Sequence, residues 1–296
     1  MFKITVPCSL RIGPGIDTFA LAVDRFIEII LIDVDREEKN GSVTIDRDST
    51  PFVDRENLKL ITNKIFRHMS RVFSFPRYDI KVKFLSEKAY LSCLNQNEAI
   101  LIGIVSILNL VYNLNLTEER ILSIANETGF RLECATASFM GNLAIVDRER
   151  NNFLTIDWPS EWKISLVKPS EPKWIKKLPK ISREIADDMV SKASFFTIAV
   201  LNSNSELLAA SLQDQFLYNI HRGRIPYLDK LLLTGKNCNV HGLSLLRKEA
   251  GIIIIADQIP RKRCSSRIYQ LLSTANTEYI EEEFGVEGAG IAICKD

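Results

Sequence analysis

The hydrophobic residues of this chain change their period along its length, and that change limits the folds open to it. Phe2 to Pro7 is predicted as a strand, since the residues up to Val6 alternate apolar with polar, and Leu21 to Val34 predicts a longer strand. Leu58, Ile61, Ile65, Met69 and Val72 then recur at helical spacing, so Glu56 to Val72 is predicted as an amphipathic helix. Asn40-Gly41, two residues that tolerate positive φ, predicts a hairpin turn before a short strand at Ser42 to Ile45. Ile80 to Phe84 is predicted as strand again.

The middle of the chain reads as helix at Glu98 to Tyr112, after Thr117, and at Ala135 to Met140. Thr117 is a good N-cap, and Glu118 and Glu119 suit a first helical turn. Strands are predicted at Leu143 to Val146 and Ile164 to Val167, and the proline- and lysine-rich stretch Lys168 to Lys180 is the linker candidate. Beyond it come helices from Ser182 to about Leu232, strands at Val240 to Leu245 and Ile252 to Ala256, and a helix at Ser265 to Thr274. Thr277 to Glu282 and Gly288 to Cys294 are predicted as a final strand pair. Strands first, helices in the middle and a mixed end indicate an α+β fold.

A net charge of +1, from 38 basic and 37 acidic residues, removes the electrostatic case for a nucleic-acid or membrane-surface partner. Six scattered cysteines with no CxxC pair fit a reducing compartment. Three dispersed histidines suggest no metal cluster, and His221 and His241 show no acid partner in sequence. The apolar stretch Ala99 to Tyr112 is shorter than a membrane span needs, and the N-terminus does not run apolar like a signal peptide. A cytoplasmic location is therefore expected. Arg261-Lys262-Arg263 reads as a solvated turn before a helix, and Trp158, Trp162 and Trp174 as local packing.

Pro7-Cys8-Ser9 followed by Ile12-Gly13-Pro14-Gly15-Ile16-Asp17 resembles the opening motif of homoserine kinases, in the GHMP kinase superfamily. That motif runs Pro-Ala-Ser-Ser-Ala-Asn-Leu-Gly-Pro-Gly-Phe-Asp; this chain is one residue shorter and carries Arg11 in place of the Asn. Asn115-Leu116-Thr117, Ser182-Arg183-Glu184-Ile185, Arg222-Gly223-Arg224-Ile225-Pro226 and the terminal Gly285 to Ile293 resemble further family segments, in family order. The resemblance implies a two-layer GHMP kinase-like fold: an N-terminal domain resembling ribosomal protein S5 over 1–168 and a ferredoxin-like C-terminal domain over 169–296. It also implies a possible homodimer.

Family members hold ATP phosphates on Gly-Leu-Gly-Ser-Ser-Ala-Ala at a helix start, where glycines expose N–H groups and the helix dipole favours an anion. The corresponding stretch here is Cys93-Leu94-Asn95-Gln96-Asn97-Glu98-Ala99, without glycine or serine. Asn95 and Glu98 have the spacing of a capping box, so the degenerate loop Asn95, Gln96, Asn97 and Glu98 reads as an ordinary capped helix. A phosphate ~4 Å from the Glu98 carboxylate would meet ~4 kcal/mol of repulsion at an effective dielectric near 20. The family's His-x-Asp-Asn aligns with Phe130-Arg131-Leu132-Glu133, and its Ser-Gly-Ser-Gly-Pro-Ser loop with Leu246-Arg247-Lys248-Glu249-Ala250-Gly251.

Three positions keep the family pattern. Asp17 matches the Asp that contacts the homoserine hydroxyl, while Arg183 and Arg222 match two arginines that clamp the amino-acid carboxylate, a task suited to a planar guanidinium. On the other reading Asp17 is a turn residue, and the arginines are solvated or paired with Glu184 and Asp214. The expectation is a homoserine kinase-like protein, catalytically impaired or inactive, without a cofactor. It would keep an amino-acid pocket for a ligand such as homoserine, or a protein-partner role. The alternatives are a divergent active Mg-ATP-dependent homoserine kinase, with Arg11, Arg247 and Lys248 replacing lost donors, or a structural descendant without a ligand.

Overall fold

The structure, a computed structural model, describes residues 2–37, 41–49, 55–86, 93–171, 174–175, 179–247, 249–275 and 278–295. The chain begins with β1 (Phe2–Arg11), β2 (Phe19–Asp35), β3 (Ser42–Ile45), α1 (Arg55–Phe73) and β4 (Asp79–Leu85). Next come α2 (Gln96–Tyr112), α3 (Glu118–Glu127), α4 (Leu132–Met140), β5 (Leu143–Asp147), β6 (Asn152–Ile156) and β7 (Lys163–Pro169). Helices α5 (Arg183–Leu201), α6 (Ser205–Ser211), α7 (Gln215–His221) and α8 (Leu228–Asn237) follow. The chain closes with β8 (Gly242–Leu245), β9 (Ile252–Ala256), α9 (Gln258–Ser273), β10 (Tyr279–Phe284) and β11 (Ala292–Lys295). Helix and strand mix as an α+β fold requires.

Two compact units divide the chain. One comprises Met1–Leu10, Ala20–Thr155 and Glu287–Asp296; the other comprises Arg11–Phe19 and Ile156–Val286. In the first, the sheet order is β11-β1-β2-β4-β3, with β5 beside β2 and β6 beside β5. Helix α2 explains much of that unit's core. Seven of its large aliphatic side chains, from Ile100 to Leu108, are at most 1% exposed, and each contributes about 1.5–3 kcal/mol on burial. Gly103 is needed where α2 meets β2, because a Cβ there would lie 2.3 Å from Ile29 Cδ1. The helix stops at Asn113, whose left-handed backbone (φ 52°) turns its N–H back to the carbonyls of Asn109 and Leu110.

The second unit has the sheet order β10-β7-β9-β8, every neighbouring pair antiparallel. With α5 to α8 between β7 and β8, and α9 between β9 and β10, this is the β-α-β-β-α-β arrangement of ferredoxin-like folds. Its core joins Val167 of β7 and Ile252 and Ile254 of β9 to Cys264, Ile268 and Leu272 of α9.

Several expectations fail for identifiable reasons. Asn40 lies outside the described residues, and no β2–β3 hairpin forms: β3 pairs parallel with β4, which lies between them. Gly41 is fixed instead by positive φ (63°) and by Arg77, whose Cβ would be 2.4 Å from an added one. The last two strands do not pair with each other, since β10 joins β7 and β11 joins β1. Arg261 is not in a solvated turn. It sits in α9, 2% exposed, and its guanidinium donates to the Ser165 hydroxyl and pairs with Glu283 at 2.8 Å. Of the linker candidate, Lys168 and Pro169 complete β7, and 172–173 and 176–178 lie outside the described residues. Trp158 and Trp162 are buried against each other, whereas Trp174 is half exposed. His241 does have an acid partner, Asp257 Oδ1 at 2.9 Å. Among the described residues no helix is long and apolar enough to cross a membrane.

Candidate functional site

The Gly-Pro-Gly loop lies in the second unit. Gly13, Gly15 and Asp17 all have positive φ (82°, 84° and 50°), so the chain coils tightly between β1 and β2. Gly13 also needs its missing side chain, because a Cβ would lie 2.8 Å from the Phe196 ring. An ion pair of 2.9 Å from Arg11 to Asp17 Oδ1 closes the loop at its base. From far along the chain, Arg247 reaches the Gly13 carbonyl oxygen at 2.8 Å, and Phe19 packs edge-on to Phe196 at 4.9 Å between centroids.

That arrangement changes what Asp17 can do. Its side chain is 35% exposed but already accepts a charged hydrogen bond, so a ligand ammonium or hydroxyl has to compete with Arg11. Arg183 begins α5, behind the N-cap Ser182, with its guanidinium 3.9 Å from Asp187 and both side chains largely exposed. Such a pair is worth little. Arg222 follows α7, exposed and near the Tyr218 hydroxyl. Among the described residues no hydrogen bond or ion pair joins Asp17, Arg183 and Arg222 to one another, and neither arginine pairs with Glu184 or Asp214.

The segment aligned with the family's glycine-rich third loop is a tight charged turn. Leu246 N–H donates to the Gly251 carbonyl at 3.0 Å, and a Cβ on Gly251 would lie 2.6 Å from Leu246 Cδ1. Glu249 is 1% exposed and takes the Lys168 ammonium at 3.2 Å. Arg247 is 8% exposed, and Lys248 lies outside the described residues.

Leu246 O also accepts from His221 Nε2 at 2.6 Å, which makes Nε2 the protonated nitrogen. His221 is fully buried and its Nδ1 has no hydrogen-bond partner. Burial lowers its pKa below the ordinary value of 6.5; the Leu246 carbonyl opposes this and nearby Arg224 adds to it. The unfolded chain therefore binds the extra proton first, and this contribution to stability is present above pH 6.5 and lost as pH falls below it. Urea unfolding from pH 7.5 down to 5 should show a loss approaching about 1.4 kcal/mol per pH unit from this group. His221→Gln, which retains an N–H donor, should flatten that slope.

In the first unit, the start of α2 is not the expected capping box. Asn95 occupies the N-cap position, but its side chain caps nothing. Its backbone N–H and its Nδ2 both donate to the Ser9 carbonyl of β1, at 2.9 and 3.1 Å. Glu98 does not reach back either. It is 3% exposed, and Oε1 accepts from the Arg131 N–H and guanidinium, each at 3.4 Å. Both side chains are drawn to partners distant in sequence, so the helix start is welded to β1 and to the head of α4. Gln96 is buried and Asn97 exposed. The Glu98 carboxylate is fixed in the first turn, where the helix dipole stabilises it and where an incoming anion would meet it. Among the described residues no group of three His, Cys, Asp or Glu side chains could hold a metal. Local sequence signals flagged Glu98, but nothing in them pointed to Arg131, or to Arg247 as the clamp on Gly13.

No family model matches this sequence. A homoserine kinase of Lactococcus lactis subsp. lactis strain IL1403 is 22% identical over 297 residues, covering 95% of this chain and 99% of the relative. The crystal structure of a homoserine kinase from Cytophaga hutchinsonii superposes with a TM-score of 0.79 at 15% identity, covering 99% of this chain and 97% of that one. A mevalonate kinase structure superposes at 0.67 with 14% identity, covering 97% and 99%. The fold is thus that of the GHMP kinases. Over nearly its full length the chain is similar in sequence to homoserine kinases.

Proposed function

We propose that this protein is a homoserine kinase-like chain that has lost efficient phosphoryl transfer and keeps, at most, an amino-acid site around Asp17, Arg183 and Arg222. The observation that carries this reading is the buried Glu98 carboxylate in the first turn of α2, held by Arg131. The resemblance puts phosphate-binding glycines and serines in this stretch, and none remains. A phosphate ~4 Å away would face ~4 kcal/mol of repulsion per charge pair at an effective dielectric near 20, which Arg131 reduces but does not replace with N–H donors. The second support is the 246–251 turn, whose buried Arg247 and Glu249 brace the fold where the family has a glycine-rich loop.

An active homoserine kinase is the competing reading, favoured by the full-length match to the Lactococcus enzyme. Catalysis of this kind depends on positioning and charge stabilisation, which Arg11 or Arg247 could supply only by leaving their present partners. Thermal shift separates the two, since a ligand that binds only the native state raises the melting temperature. With Mg-ATP at millimolar concentration no shift is expected. Homoserine should raise the melting temperature if the amino-acid site persists, and Arg222→Ala should abolish that rise. A clear Mg-ATP shift would favour the active enzyme.

A further inference from the structure

Within the 156–286 unit, a cavity of about 280 Å³ opens between α6, α7, α8 and β8. Its walls are mostly apolar: Leu212, Leu232, Val240, Leu243 and Leu245. Gly235 and Gly242 let these walls close, since a Cβ on Gly235 would lie 2.4 Å from Leu243 Cδ1 and one on Gly242 2.4 Å from Leu212 Cδ1. The volume suits a molecule of amino-acid size and is too small for a nucleotide.

Two charged residues sit in this apolar lining. Asp214 is 7% exposed, and its Oδ1 accepts the Leu217 N–H at 3.0 Å as the cap of α7. Its Oδ2 is buried with no hydrogen-bond partner. A buried carboxylate oxygen without a donor is rare and costly, and it is most often satisfied by a bound water, ion or ligand. Lys236, on the exposed side of α8, has no ion-pair partner among the described residues. A primary ammonium brings three donors to a carboxylate, and an apolar body would displace water from leucine and valine side chains.

We propose that this cavity binds a small primary ammonium compound with a branched apolar body of about leucine size. The ammonium meets Asp214, and a carboxylate, where the ligand has one, meets Lys236. This site shares no residue with the one proposed above, and it stands whether or not the protein transfers phosphate. The test is calorimetric titration of the full chain with leucine, 3-methylbutylamine and 4-methylpentanoate. Leucine and the amine should bind, with the acid at least about tenfold weaker because it lacks the charged donor. Binding of the amine without leucine also supports the proposal and removes Lys236 from it.

Asp214→Asn keeps an oxygen to cap α7 and should weaken leucine or amine binding by about tenfold or more. If that variant fails to fold, Val240→Phe, which fills the cavity, should block binding instead. The proposal is overturned if 4-methylpentanoate binds as tightly as leucine, or if neither variant affects binding. It is also overturned if none of the three binds below about 10 mM, which leaves a water-filled cavity only.

Discussion

Replacing Glu249 with Ala is expected to destabilise the protein by about 3–5 kcal/mol, the cost of removing one partner of a buried ion pair. Lys168 on β7 is 2% exposed, Glu249 is 1% exposed, and their charges lie 3.2 Å apart. Without the carboxylate, the buried Lys168 ammonium loses the opposite charge that faces it at 3.2 Å, and that loss is costly. The pair itself need not be stabilising, because two apolar side chains of similar size often do as well. Lys168→Met with Glu249→Leu should therefore recover most of the stability lost by Glu249→Ala. Urea unfolding of the two singles and the double measures the coupling. A loss below about 1 kcal/mol for Glu249→Ala would mean that water reaches the pair. The result bears on function, since it tests whether the 246–251 turn is a structural brace.

A comparable loss is expected for Gly141→Ala, from a different cause. Gly141 ends α4 at φ 83° and ψ −175°, a region open essentially to glycine alone. A Cβ there would lie 2.4 Å from the Gly288 carbonyl oxygen and 2.7 Å from the Gly290 nitrogen, both backbone atoms. The neighbouring backbone is interlocked: Asn142 N–H donates to Glu287, Glu287 N–H to Ala22, and Ala22 N–H to Asn142. None of these can yield singly. Backbone strain and overpacking together should cost about 3–5 kcal/mol. Gly129→Ala is the matched control, with positive φ (76°) but nothing within 4 Å of the added Cβ. It should cost only about 1–2 kcal/mol. Equal losses for the two glycines would show that the contact with the 288–290 backbone is unimportant.

Much of the fold was legible because its determinants are local. The period-3.6 pattern placed α1, and the readings of β2 and of the apolar stretch in α2 also fell within a few residues of their ends, while Thr117 does cap α3 by accepting the Arg120 N–H. What escaped local reading depends on partners far along the chain. Glu98 had a capping-box spacing, yet Arg131, 33 residues on, takes its carboxylate. Arg247 reaches a carbonyl 234 residues away. Arg261 looked like a solvated cation in a basic triplet, but it is buried with Ser165, Glu283 and Gln258 as partners. The candidate site shows the same division. Positive φ at Asp17 follows from its turn, but its charge partner follows from the exchange of Asn for Arg11, whose consequence the loop's geometry reveals.

The central claim is that the start of α2 no longer serves a nucleotide. ADP release by the purified full-length protein, supplied with Mg-ATP and homoserine, tests it most directly. The expected result is no turnover above a protein-free blank, unchanged by Asp17→Ala. Robust ADP release coupled to homoserine phosphorylation, and abolished by Asp17→Ala, would contradict the account and show that this chain transfers phosphate without glycines at the start of α2.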